Sequence, residues 1–422
     1  MAAVIVCAVH VMREARTAKA LLDGNEVERI TAFLVHLGGD ENPKQLFSQQ
    51  GVASKGCNVS GAGFFFDDSD PACNPIALMH ELISRRAENR TYIFPYLGGR
   101  ELNATPDYRC ERYVMNVNHL QEPDDPAASD ILAILRERVM PERVHGRLQS
   151  IPWWQYERPR PRLYQAVKGL SHVLACSQTS KYRAMARVPN DRMFDQKLVV
   201  FPYDSFAAFA VLQSLAHTEW AIFFGSTMKD DPVYTATDCF ETFPVPPGWV
   251  VDRGLEAVGA ALEESRGKFM LSRQLGLTDF YNRFHDRFNQ DPDIVQLRVL
   301  HAAMDRAVLD AYGWSDIPTD CDFYLDYEID EETWGDKKKP YRYRWPDAVR
   351  DEVLARLLDL NQRRYQEEVA AGLHGKTDRP APKASKAQPG KPAVPRARKP
   401  APATATPAQL PFATRRQDGD DE

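Results

Sequence analysis

Apolar residues recur at helical spacing through the later part of the chain. In DPDIVQLRVLHAAMDRAVLDAYGW (291–314), Leu297, His301, Met304, Val308 and Tyr312 share one face, and this spacing predicts a helix. Asp291–Pro292 provides the cap and the first-turn proline, and Gly313 stands at C′. WPDAVRDEVLARLLDLNQRRYQEEVAAG (345–372) repeats the logic, with Pro346 near the first turn, Val349, Val353, Leu357 and Leu360 apolar, and Gly372 at the end. DSFAAFAVLQSLAHTEWAIFFG (204–225) differs, being apolar over most of its circumference. It predicts one buried helix, capped by Asp204 and stopped at Gly225.

Earlier in the chain the pattern is mixed. HVLACS (172–177), YRAMARVP (182–189) and KLVVFP (197–202) read as strands, as do AVIVCAVHV (3–11) and GAGFFF (61–66). SDILAILRERVM (129–140) predicts a helix with Ser129 as N-cap and Pro141 marking its end, and PRPRLYQAVKGL (159–170) one opened by prolines with Gly169 near its end. The fold class is therefore mixed α/β. Four stretches are expected: 1–125, strand-rich; 126–250, mixed; 251–375, helical; and 376–422, a Pro/Ala/Lys/Arg tail that cannot bury enough apolar surface to fold.

Composition adds limits. Hydrophobic content of 43% and charged content of 27% are ordinary for a soluble globular protein, and no window is apolar for long enough to span a bilayer. The 7 cysteines are scattered without a C-x-x-C pair, which points to a reducing cytoplasm rather than a disulfide or zinc framework. Net charge is −6, but from Arg136 to Lys197 there are 13 basic and 5 acidic residues, a local balance of +8. That block is suited to phosphates, whereas DCDFYLDYEIDEE (320–332) is strongly acidic.

One run imitates two catalytic motifs. DPACNPIALMH (70–80) begins like a D-P-A-C-G-S-G cofactor loop and contains the start of an N-P-P-[YFW] tetrapeptide. A cofactor loop needs glycines where the backbone bends against its ligand, and here Asn74 and Pro75 take those places. The tetrapeptide needs an aromatic to stack on an extruded base, and Ile76 and Ala77 stand where the second proline and the aromatic belong. A turn before a helix over IALMHELISRRA accounts for Asn74 and Pro75. His301 and Asp305 lie one helical turn apart, but His301 belongs to an apolar stripe and no third ligand is apparent, so a packed histidine is expected.

Four long collinear runs carry a family resemblance: TYIFPYLGGRELNATPDYRCERYVMN (91–116), WWQYERPRPRLYQAVKGL (153–170), FAVLQSLAHTEWAIFFGSTMKDDPVYTATDCFETFPVPP (209–247), and TDFYNRFHD with LRVLHAAMDRAVLDAYGW (278–314). They resemble MmeI-like adenine-specific DNA methyltransferases of type IIL and DISARM-type systems. The resemblance implies that 1–125 is the late part of a methyltransferase domain and connector, 126–250 a target-recognition domain, and 251–375 a helical C-terminal domain. It implies double-stranded DNA as partner, S-adenosylmethionine as cofactor of the assembled enzyme and none bound by this chain. A catalytic half on another polypeptide, or other defence-system subunits, would complete it. The other reading is a truncated remnant or non-catalytic scaffold without specific DNA binding.

Within the basic block, Lys181, Arg183 and Arg187, with Asn190 and Arg192 at a turn, are candidates for DNA contact, the two arginines projecting from one face if the segment is a strand. Arg158, Arg160 and Arg162 alternate in a proline-rich run and suit phosphates, as does Lys229 beside Ser226 and Thr227. Each is equally readable as a plain surface charge. Trp153 and Trp154 read as core residues.

Overall fold

A computed structural model describes residues 20–22, 25–145, 147–228, 231–326 and 339–374. Two four-stranded sheets organise the middle of the chain. The first has the order β3 (Ser54–Lys55), β10 (Leu198–Phe201), β7 (His172–Ser177), β8 (Ala186–Pro189), with every neighbour antiparallel. In β10 every residue is buried, and in β7 all but His172, because both faces are covered; hence the continuous apolar runs. The second sheet has the order β4 (Phe65–Phe66), β6 (Tyr113–Met115), β5 (Ile93–Leu97), β9 (Met193–Phe194), its last pair parallel. Hairpins β1–β2 (Ala20–Leu22, Asn25–Val27), β11–β12 (Ser226–Met228, Asp231–Val233) and β13–β14 (Asp322–Leu325, Tyr341–Arg344) stand apart from both sheets.

The elements up to residue 374 lie in one compact unit with two hydrophobic cores. The smaller core packs the second sheet against α1 (Ile76–Arg85) and α3 (Ser129–Arg138). Trp153 and Trp154 meet edge to face at its border, 5.5 Å apart, and Trp154 Nε1 donates to the Leu120 carbonyl at 3.2 Å. The larger core packs the first sheet against α6 (Phe206–Gln213), α8 (Arg253–Arg273), α10 (Pro292–Ala311) and the last helix, α11 (Asp347–Ala370). Gly259 lets α6 and α8 touch, since a Cβ there would lie 2.1 Å from the Phe206 carbonyl oxygen.

Several expected boundaries move. The helix over 204–225 is broken: Ser214 is extended, and its hydroxyl accepts from His217 N at 3.3 Å to start α7 (Leu215–Phe224). Ser205, not Asp204, caps α6, because Asp204 is taken by Arg187 and Ser171. Ser129 is already helical, following a 3₁₀ turn capped by Asp125. Pro141 opens the one-turn α4 (Met140–Arg143), where its missing N–H costs nothing. Pro346 caps α11 from outside rather than entering it. The strand over 182–189 begins only at Ala186, and GAGFFF is a 3₁₀ turn leading into the two-residue β4. Asp291, Pro292, Gly313 and Gly372 stand as read, both glycines with positive φ. AVIVCAVHV and the tail lie outside the described residues.

A clasp joins distant parts of the unit. The Asn361 side chain on α11 accepts from Lys44 N at 2.9 Å, and its amide donates to the carbonyls of Lys44 (2.8 Å) and Thr242 (2.6 Å). Glu368, two turns on, accepts from Phe47 N at 2.9 Å. Among the described residues no helix is long and apolar enough to cross a membrane.

Candidate nucleic-acid interface

The run Arg158–Arg162 leads from an isolated bridge with Asn58 into the six-residue helix α5 (Pro161–Ala166). Arg158 is exposed while its backbone pairs with Asn58 in both directions, each bond 3.0 Å, so the guanidinium extends from a fixed point. Arg160 has left-handed backbone geometry (φ 55°), which turns the chain into α5, and its buried Nε has no partner. Arg162 is exposed on the first turn, and Lys168 is exposed beyond the helix. Nearby, Arg147 pairs with Glu157 at 2.9 Å. Glu157 also accepts from Ser60 Oγ at 2.5 Å, and these bonds hold its carboxyl below the usual range.

The second set of candidates is used differently. Arg183 precedes β8 rather than lying in it, is buried, and donates to the Pro232 carbonyl of the β11–β12 hairpin. Arg187 donates to the Asp204 carbonyl at 2.9 Å, pairs with the Asp204 carboxylate, and lies over the Phe206 ring at 4.7 Å. Ser171 and Arg187 together draw the Asp204 carboxyl below its ordinary value against the opposing effect of burial. Asn190 ties down the end of α5 by donating to the carbonyls of Val167 (2.7 Å) and Leu170 (3.1 Å). Arg192 donates to the Tyr108 carbonyl at 2.7 Å and to Asp191 at 2.9 Å. Lys181 stays exposed, with Nζ 3.0 Å from Asn282 Oδ1. Lys229 lies outside the described residues. The fold thus leaves Arg158, Arg162 and Lys181 exposed and draws the guanidinia of Arg183, Arg187 and Arg192 into its own scaffolding.

The motif-like run 70–80 is a turn. Ala72 N donates to Asp70 Oδ1 at 2.9 Å, and Pro75 precedes α1 as its N-cap residue. Asn74 is buried and spends its amide on the carbonyls of Gly63 (2.8 Å) and Phe65 (2.9 Å), stitching the turn to β4. A Cβ at Gly63 would lie 2.6 Å from that of Arg138, so side chains of α3 already fill the space beside the G-x-G. This stretch does not fit S-adenosylmethionine.

A concavity of about 300 Å³ went unread in the sequence. It lies among α7, α9 (Leu277–Phe284), α10 and the β13–β14 hairpin, with Lys181 and Tyr182 at one side. His301, expected as a packed histidine, and Asp305, one helical turn on, sit buried in its lining, and Glu219 joins them from α7. The sequence offers two signals for it: the i, i+4 spacing of His301 and Asp305, and Glu219 inside an otherwise apolar run.

Residues 77–247 match the family model described as MmeI, target recognition domain. In three dimensions the chain resembles the type IIL restriction-modification enzyme MmeI, solved in complex with DNA, with a TM-score of 0.53 at 15% identity. The likeness covers 81% of this chain and 39% of that one, so the chain spans about two fifths of the MmeI length, and at this identity it speaks for the fold alone. The type IIG restriction endonuclease BpuSI gives a TM-score of 0.32 at 12% identity, over 77% of this chain and 32% of its own, too slight to build on. No curated protein matches the sequence. Residues 77–247 thus carry the match to the MmeI target recognition domain, within a chain whose mixed α/β fold resembles that of MmeI.

Proposed function

We propose that this chain recognises a specific duplex DNA sequence for a restriction–modification or phage-defence methyltransferase that transfers a methyl group from S-adenosylmethionine to adenine. The match of residues 77–247 to the MmeI target recognition domain carries the reading. The exposed Arg158 and Arg162, on a run pinned to β-structure at Asn58, support it by offering cations to phosphates from a rigid base. Methyl transfer is assigned to a catalytic half outside this chain, because residues 70–80 lack both the glycine loop and the aromatic tetrapeptide. That half, and other subunits of such a system, are the proposed protein partners, in the cytoplasm.

The test is selection from a random duplex pool with the purified chain, followed by anisotropy titration of the enriched duplex at graded salt. Enrichment of one sequence, with affinity falling by a log–log slope of about 0.9 per neutralised phosphate, supports the reading. The internal bonding of Arg183, Arg187 and Arg192 favours a second reading, a scaffold that keeps the fold without reading sequence. A pool that never enriches would establish that second reading.

A further inference from the structure

The concavity beside α10 holds polar groups that the fold leaves without partners. Asp305 Oδ1 accepts from Leu215 N at 2.8 Å, the N–H exposed by the helix break at Ser214, while Asp305 Oδ2 has no partner among the described residues. Nε2 of His301, one turn earlier, has none either. Asp305 is 1% and His301 7% exposed, so neither is answered by bulk water. Glu219, half-buried on the facing α7, makes no hydrogen bond or ion pair among the described residues. Leu215, Ile222, Ala302 and Phe284 supply apolar wall between these groups. No three of the ligating side chains among the described residues are gathered closely enough to hold a metal ion, so the groups suit a ligand with several spaced polar atoms.

We propose that this cavity binds the amino-bearing edge of a nucleobase-class heteroaromatic ring, an adenine or cytosine edge in chemistry. Burial and the neighbouring Glu219 push the Asp305 carboxyl up to about 8, so it is mainly protonated at neutral pH and presents an O–H. Burial and Arg266 push His301 down to about 3, so its ring is neutral. Burial likewise raises Glu219, to about 7, against the pull of Arg350 and Arg344. An exocyclic amine donates to Glu219, and the adjacent ring nitrogen accepts from Asp305 or His301. With Glu219 ionised, above about pH 7, uracil and thymine would set a carbonyl oxygen against its carboxylate and leave polar groups of the site unpaired, which is the basis for discrimination. The volume, about 300 Å³, lies at the small end of ligand sites. Lys181, exposed at the side of the cavity, suits a phosphate attached to such a base.

The same edge is presented by a free nucleotide and by an unpaired base in DNA, so the experiment has two arms. Adenosine, cytidine, uridine and thymidine are titrated calorimetrically into the full chain, which requires no duplex recognition and so succeeds or fails independently of it. A duplex with one unpaired adenine is compared with its fully paired counterpart by anisotropy. Both arms are repeated with Glu219→Leu, which removes the acceptor, and with Asp305→Asn, which keeps an acceptor for Leu215. The expected result is at least tenfold tighter binding of the amino nucleosides than of uridine and thymidine, lost tenfold or more in Glu219→Leu. Sensitivity of the unpaired-adenine preference to Glu219→Leu, with or without nucleoside binding, also supports the proposal and assigns DNA as the source. Equal binding of all four nucleosides, or no nucleoside binding together with no variant-sensitive preference for the unpaired base, overturns it.

Discussion

Replacing Arg266 by Met tests how the basic loop is held in place. Arg266 is 1% exposed on α8; its guanidinium pairs with Glu263 and donates to the Met185 carbonyl at 2.7 Å and to Tyr281 Oη at 3.2 Å. It therefore ties the segment carrying Arg183 and Arg187 to the helical layer. Removing one member of a buried pair leaves the other uncompensated, at a cost of about 3–5 kcal/mol. Burial already raises the Glu263 carboxyl, and Arg266 is the largest influence drawing it down. Without Arg266 its folded-state value rises further, so folding takes up a proton. Such a group favours folding most below its unfolded value of about 4.3 and loses that contribution as pH rises. The deficit of Arg266→Met should accordingly grow between pH 5 and pH 8. Urea unfolding at both pH values measures it, and adding Glu263→Met should recover most of the loss. A single variant costing under about 1 kcal/mol, or a double variant costing the sum of the two singles, would refute the reasoning.

Three further outcomes are expected. Arg158→Gln and Arg162→Gln should weaken duplex binding about equally for all sequences and lower the salt slope by about 0.9 per lost phosphate contact, read by anisotropy. Gly259→Ala should destabilise the chain by about 1–3 kcal/mol in thermal or urea melts, because the new methyl meets backbone at Phe206 rather than a movable side chain. His217 is buried, with Nδ1 2.7 Å from the Leu212 carbonyl and Nε2 2.9 Å from Tyr234 Oη, and burial pushes it down to about 4. A depressed histidine leaves the unfolded chain binding more protons, so stability falls as pH drops from about 6.5 toward 4, by up to about 3 kcal/mol. His217→Gln should flatten that acid limb in denaturation curves collected across the range.

The long amphipathic helices were legible because their caps are local: Asp291 with Pro292, and Gly313, act within a turn of where the periodicity starts and stops. The break at Ser214 was not, because it depends on Asp305, 90 residues away in sequence, accepting the N–H that the break exposes. Sequence also shows which residues are basic but not what they touch. Arg187 and Arg158 look alike in composition, yet one faces Asp204 and the other solvent. Asn74 illustrates the converse: the mismatch to a catalytic motif was readable, whereas its actual use, bonding two carbonyls of the preceding turn, required the packing of α3 beside it.

The clasp at Asn361 has a bearing on synthesis. Its partner Lys44 lies 317 residues earlier, and Glu368 reaches back 321 residues to Phe47. During translation the stretch around 44–50 emerges long before α11, so its backbone groups wait on solvent until nearly the whole compact unit has left the ribosome. Domains otherwise tend to fold as they emerge, at about 5–20 residues per second. Here the final closure waits for α11, and contacts so far apart in sequence make it a slow one.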